Sequence, residues 1–294
     1  MRISTSLQFG RIQKTIERGN DQLSLWQRRV STGRRVEQPL DDPVGTVHAL
    51  AIRQQLQQID QYQRNIREAK LFLQSTEQAF SDIGEVLNQV RQIVTQGAND
   101  TLQPEAREAL FQQVRKLQER LMQIGNQRVD SDRYLFSGQL VFTQPFTLVG
   151  TTLTYQGDGL PMQVPIANNH TLVMNFSGGR IADLYNKLND IALNIQTANL
   201  ADLSMNDLRD IEQFQAEFQR YRGEVGVRLR EVETYTYLHQ SRHDQLKGNL
   251  ADIEEVDLAE AISQLRQSEL SYQASLQIFT RVQSVNLFDF LRGG

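Results

Sequence analysis

From Phe9 onward, apolar positions recur three and four residues apart: Phe9, Ile12, Ile16, Gly19, Leu23, Trp26 and Val30. This is a heptad seam, and it predicts a helix whose single apolar stripe needs a partner helix. Ser31-Thr32-Gly33 ends the pattern, with Gly33 suited to the left-handed position past a helix end. After the connector RRVEQPLDD, Asp42 is placed to cap a second helix, and Pro43 fits its first position. The second seam runs Ile52, Leu56, Ile59, Tyr62, Ile66, Ala69, Leu73, Thr76, Phe80, Ile83, Leu87, Val90 and Val94. A helix from Pro43 to about Gln96 would be roughly 80 Å long. Gly97, Asn99 and Asp100 break it. Pro104 then opens a third helix along Leu110, Val114, Leu117, Leu121 and Ile124.

Near Tyr134 the period changes. Val141-Phe142, Phe146 to Val149, Thr152 to Tyr155, Met162 to Val164 and Thr171 to Met174 read as short strands, with Gly157-Asp158-Gly159 as a turn. Helical spacing returns at Ile181 with Leu184, Leu188, Ile191 and Ile195. It continues over 206–250 with Ile211, Phe214, Phe218, Tyr221, Val225, Val232, Tyr235 and Leu246 near the seam. Asp257 and Glu260 have capping-box spacing. The last stripe is Leu258, Ile262, Leu265, Tyr272, Leu276 and Phe279, followed by Leu287 and Phe290.

The fold class predicted is mainly α: an elongated antiparallel helical bundle or coiled coil formed by the N- and C-terminal regions, with a small β-rich insert domain. The expected segments are an N-terminal assembly helix and connector (1–42), a long helical hairpin (43–134), the β-rich insert (135–180), return helices (181–256) and a C-terminal assembly helix (257–294). A thin-seamed terminal helix is not stable alone. Each buried Leu or Ile contributes about 1.5–3 kcal/mol, against about 1–2 kcal/mol for ordering each backbone residue. The stripes of 1–32 and 258–290 are therefore expected to be covered by each other and by neighbouring molecules.

Composition narrows the function. Hydrophobic residues make up 39% of the 294 residues and the mean hydropathy is −0.48, lean for a round core. A net charge of −4 disfavours a generic nucleic-acid binder. No apolar run is long enough to span a membrane, and the opening MRISTSLQFGRIQ lacks the apolar core of a cleavable signal peptide. The absence of cysteine removes disulfides and thiolate chemistry.

The candidate chemistry is sparse. Asp41-Asp42 looks like a carboxylate pair, but no nucleophile or second acid lies nearby, so capping is the better reading. His239 and His243 have the i, i+4 spacing of metal ligands, without a third ligand or an HExxH motif. Arg28, Arg29, Arg34 and Arg35 form a basic cluster, read as a solvated face or a salt-bridge surface between subunits. No catalytic, cofactor or metal residue is nominated, and no enzyme activity is expected.

Several segments carry a resemblance. Ser31-Thr32-Gly33-Arg34-Arg35-Val36 leading to Asp41-Asp42-Pro43-Val44-Gly45 resembles a segment of the N-terminal region of the flagellin superfamily. So do Thr76-Glu77-Gln78-Ala79, Gln96 to Thr101, Ile124-Gly125-Asn126 and Tyr134 to Gly138. Glu255 to Ala261 and Tyr272 to Leu276 are similar to the C-terminal motifs of that family. Within it, MRISTSLQF, PFTLVGTTLTYQGDG and the tail VNLFDFL are similar to the proteins of the hook–filament junction, and Gly293-Gly294 departs from their ending. The resemblance implies a structural adaptor polymerising in a ring of its own copies, between hook-associated protein 1 and flagellin. It also implies uncleaved export through the flagellar type III apparatus, an extracellular place in the bacterial flagellum, and an export chaperone on the C-terminal helix. It implies no cofactor, nucleic acid or membrane insertion. Flagellin itself and a non-flagellar coiled-coil scaffold or chaperone are the alternatives.

Overall fold

The structure is a computed structural model that describes residues 2–292, with side chains from 10 to 281. The element order is α1 (Arg2–Thr32), α2 (Pro43–Gly97), α3 (Pro104–Gly125), β1 (Phe146–Val149), β2 (Thr152–Tyr155), β3 (Gln163–Ala167), β4 (His170–Val173), α4 (Gly179–Gln196), α5 (Leu200–Asp202), a π-helical turn (Leu203–Asp207), α6 (Leu208–Glu254) and α7 (Leu258–Arg292). The fold class read from the sequence holds, with long helices and a small antiparallel β insert. The chain divides into two compact units. One joins residues 1–57 to 243–294, and the other spans 58–242.

In the second unit the helices run antiparallel. Arg222 reaches Glu77 at 2.7 Å, Gln215 reaches Asn88 at 2.9 Å, and Tyr62 stacks on His239 at 5.4 Å. As the numbers climb on α2 they fall on α6. α3 and α4 pair the same way, through Arg115 to Asn189 at 2.9 Å and Gln118 to the Tyr185 carbonyl at 3.2 Å. The long seam of α2 is buried from Ile66 to Val94, as its spacing required. A second row is buried as well: Phe72, Ala79, Val86 and Ile93. Seven-residue spacing on a second face means α2 is covered from two sides, so this unit has a filled core where a coiled coil would have one strip.

The β segment consists of two separate hairpins, β1–β2 and β3–β4. Gly150 (φ +63°) and Asn169 (φ +55°) take the left-handed positions at their turns. Four of the five expected strands form, within a residue of their expected limits except that β3 runs on to Ala167, three residues past Val164. Val141-Phe142 does not. It sits in a turn, with the Val141 carbonyl accepting from the Tyr134 N–H at 2.7 Å, and Phe142 is exposed. The hairpins share the core of the helices. Phe136, Phe146, Leu153, Ile166, Leu172 and Phe176 are buried in the same cluster as α2, α4 and α6. Phe80 on α2 is its hub, with the rings of Phe176 at 5.4 Å and of Phe136, Phe218 and Tyr221 at 5.7 Å.

Polar contacts tie α4 to α6. Arg180 Nε lies 3.0 Å from both Glu217 oxygens, and the Tyr221 hydroxyl donates to Glu217 Oε1 at 2.7 Å. The Arg180 hydrogen bonds hold the Glu217 carboxyl below the usual range, against its partial burial, with Tyr221 adding to the effect.

Two outcomes follow for this unit. Phe80→Ala should cost about 3–5 kcal/mol in urea unfolding, because the ring deleted is the one all four aromatic neighbours touch. Glu217 contributes its stability above the unfolded-state value near pH ~4.3 and loses it as pH falls through the lower folded value. Glu217→Gln should therefore flatten the acid limb of the stability–pH curve, read by thermal melts between neutral and acidic pH.

Candidate assembly interface

The first unit is built differently. α1 and α7 lie against each other with Gly19 at the level of Tyr272, where a Cβ would sit 3.5 Å from Tyr272 Cδ2. On α1, Ile12, Ile16, Leu23, Trp26 and Val30 are all half-buried, and none is buried. On α7, Leu265, Tyr272 and Phe279 are half-buried on the side that also buries Ala261. Leu258, Ile262 and Leu276 stay 51%, 41% and 38% exposed. At 100° per residue Leu258 and Leu276 lie about 20° from Leu265, and Ile262 about 60°. The stripe expected on α7 is thus a broad one, of which α1 covers one edge. Phe9, Leu287 and Phe290 lie outside the described side chains.

A backbone clasp sets the register of this pair. Gly33, at φ +68°, turns the chain out of α1. Beyond it, the Arg35 N–H donates to the Glu254 carbonyl at 2.6 Å and the Val256 N–H to the Gly33 carbonyl at 3.0 Å. These bonds flank an antiparallel bridge between Arg34 and Glu255. Side chains reinforce it. Arg35 donates to the Ile253 carbonyl at 2.8 Å, and Arg53 on α2 pairs at 2.7 Å with Glu254, whose side chain is only 10% exposed. The start of α2 and the start of α7 are therefore anchored to the end of α1.

Both helix starts are capped by carboxylates. Asp42 Oδ1 accepts the Gly45 N–H at 2.8 Å, with Pro43 at the first helical position. A Cβ on Gly45 would meet the Asp42 carboxylate at 2.5 Å, so this glycine makes room for the cap. Asp257 Oδ1 accepts from the N–H groups of Ala259 and Glu260, at 2.9 and 3.2 Å. Among the described residues Glu260 makes no return bond to the Asp257 N–H, so the motif is half of a capping box.

The remaining candidates also have places. Asp41 Oδ2 accepts from the N–H groups of Gln38 and Glu37. Those backbone donors, then Arg28 and Arg29, hold its carboxyl below the ordinary value. Arg35 lies 3.5 Å from Asp42, and the Arg29 guanidinium covers the Trp26 ring at 4.8 Å. His239, in the second unit, lies 2.6 Å from the Ile166 carbonyl, and His243, in the first, is 3.4 Å from Asp244. No group of three or more metal-ligating side chains occurs among the described residues, and no described helix is long and apolar enough to cross a membrane. Arg53 and Glu254, which complete the clasp, had no local signal. Their partners lie some two hundred residues away in sequence.

Residues 3–140 match the family described as the bacterial flagellin N-terminal helical region. Over 98% of its length the chain is 23% identical to flagellar hook-associated protein 3 of Escherichia coli, covering 99% of that protein. It is 22% identical to the protein of the same name from Salmonella typhimurium, over 99% of this chain and all of that one. Polar flagellin E of Vibrio parahaemolyticus is 27% identical over only 46% of this chain. In fold, the chain resembles a flagellar hook-associated protein of Vibrio parahaemolyticus at a TM-score of 0.67 and 21% identity, over 73% of this chain and all of that one. It also resembles hook-associated protein 3 of Legionella pneumophila at a TM-score of 0.63 and 14% identity, over 69% of this chain and 98% of that one.

Glu254→Gln should remove the charge from the clasp while keeping its shape. A loss of about 1–2 kcal/mol is expected. It should appear as roughly tenfold faster hydrogen exchange at the amides of 33–36 and 254–257, with the amides around Phe80 unchanged.

Proposed function

We infer, for a chain of the flagellin superfamily that is similar from end to end to flagellar hook-associated protein 3, that it is a structural adaptor at the hook–filament junction of the bacterial flagellum. The observation that carries this reading is the state of the paired termini. α1 and α7 are held in register by a built clasp, yet every described residue of their expected seams keeps solvent exposure. Helices that pair this way and remain uncovered are suited to polymerisation, where further copies cover the rest.

We extend the reading to partners. One end of a ring of copies would rest on hook-associated protein 1 and the other would receive flagellin, with Ile12, Ile16, Leu23, Trp26, Val30, Leu258, Ile262, Leu265, Tyr272, Leu276 and Phe279 supplying the contacts. Asp42, Pro43, Asp257 and Glu260 would act as helix starters. The C-terminal helix would be held by an export chaperone until uncleaved passage through the flagellar export apparatus. The role is mechanical and calls for no catalysis. Flagellin itself is the poorer reading, since the likeness to a flagellin covers less than half of the chain while the likeness to the junction proteins covers nearly all of it.

Deletion of the gene should give cells that build hooks and release flagellin into the medium without growing filaments. Electron microscopy of the cell surface and immunoblots of culture medium read this directly. Normal filaments on the deletion strain would overturn the assignment. Sheared flagella should carry about a dozen copies per filament, where a filament subunit would number thousands.

A further inference from the structure

The hairpin β3–β4 is a thin element. It has only two strands, and a bulge between Pro165 and Ala167 shifts their register. Pro165 has no N–H to give to the ladder. Ile166 near the tip and Leu172 toward the base are its buried apolar anchors. The rest of its hold comes from one face of α6, where Arg228, Glu231, Tyr235 and His239 follow one another by three or four residues. Arg228 donates to the carbonyls of Val173 and Asn175, both at 3.2 Å, and so holds the base. Glu231 pairs with His170 beside the turn. The Tyr235 ring stacks on His170 with centroids 5.1 Å apart. His239 reaches the Ile166 carbonyl at 2.6 Å, and its ring lies 5.4 Å from that of Tyr62 and 6.0 Å from that of Tyr235.

The two contacts near the tip fix a tautomer. A carbonyl and an ionised carboxylate only accept, so Nε2 of each imidazole carries the hydrogen. Nδ1 of each ring has no hydrogen-bond partner among the described residues. A proton taken up at Nδ1 therefore breaks neither bond. It places one positive charge beside the Glu231 carboxylate and another against the rings of Tyr62 and Tyr235. The hairpin, residues 163–173, contains no Asp, Glu, Lys or Arg. On α6 the other charged groups along this face are Arg228, which is held at the base and feels the Glu231 charge, and Arg242, which has an interaction of its own. On α2, Tyr62 faces His239 and Asn65 donates to the Pro165 carbonyl at 2.7 Å, while the nearby Glu68 is paired with Arg133. His170 and His239 are thus the groups of this contact whose type changes charge near neutrality.

We propose that the tip of the β3–β4 hairpin is a proton-tightened strap, which His170 and His239 close on α6 as the pH falls below neutrality and release as it rises. A free imidazole titrates near pH ~6.5, and above that range the added charges are gone while the two neutral bonds remain. The base does not respond, because Arg228 keeps its charge and Leu172 stays buried. Release uncovers Ile166 and the Tyr62–His239 ring pair and leaves the aromatic cluster around Phe80 closed. The surface that the β insert presents then depends on the acidity of its surroundings.

Hydrogen exchange of the full chain tests this, read amide by amide by NMR and corrected for the intrinsic effect of pH. Between pH ~5 and pH ~8, the amides of Ala167 to Leu172 should lose about fivefold in protection, with those around Phe80 unchanged. His170→Gln with His239→Gln keeps a donor at each place and takes up no proton, so its tip should be equally protected at both pH values. Glu231→Gln alone should weaken the response. Equal protection of the tip at both pH values in the unaltered chain overturns the strap. So does a response that survives in the double variant. Should the double variant not fold, the ring signals of the two histidines decide in the unaltered chain. Loss of protection must follow their titration, and a midpoint displaced from it by more than about one pH unit overturns the proposal.

Discussion

Two helices lying side by side can cover only one face of each other. Everything in the first compact unit follows from that limit. Among the described residues its buried apolar side chains are Val36, Ala49, Leu246 and Ala261, of which only Leu246 is large. The bulky residues of the terminal stripes are left half in water. The second unit shows the alternative. There α2 is covered on two faces, the hairpins close over the helices, and Phe72, Phe80, Phe136, Phe146 and Phe218 are almost wholly removed from solvent. One chain has thus made a self-sufficient core in its middle and an incomplete one at its joined ends.

The clasp explains how an incomplete core can still be specific. A thin seam has little to stop it sliding, because one heptad looks much like the next. Gly33, the Arg34–Glu255 bridge and the Arg53–Glu254 pair fix the starting point. Asp42 and Asp257 then define where α2 and α7 begin, by satisfying N–H groups that would otherwise be orphaned. Register is settled at one end by polar geometry, so the apolar residues beyond it need only be approximately complementary. That division leaves the rest of the pair free to accept new neighbours without losing alignment.

Much of this was legible from spacing alone. The seam of α2, the stop at Gly33, the caps at Asp42 and Asp257 and four of the five strands are local patterns, and local patterns survive in sequence. Three things were not. Phe72, Ala79, Val86 and Ile93 stood outside the expected seam, because a second seam has meaning only once two layers cover the helix. Val141-Phe142 has strand-like residues, but the Tyr134 N–H takes the Val141 carbonyl into a turn. The stripe of α7 read as one seam, since Leu258, Ile262 and Leu265 satisfy heptad spacing whether one partner or two lie beside them. For the two helices the deciding fact was the number of neighbours, and for Val141 a hydrogen bond from outside the run; periodicity encodes neither.

The same count of neighbours links folding to assembly. A half-buried Leu or Ile retains only part of its roughly 1.5–3 kcal/mol, while the cost of ordering the backbone is the same in the single molecule as in a polymer. A neighbour that covers Leu258, Ile262 and Leu276 binds the ordered pair and has nothing to bind in the unfolded one. By linkage it stabilises the pair by an amount that rises with its concentration. Ordering of the ends and addition to the polymer are then one equilibrium seen from two sides. A chain so arranged keeps a covered core in its middle, and under the proposed assembly its ends would draw the last part of their stability from neighbouring copies.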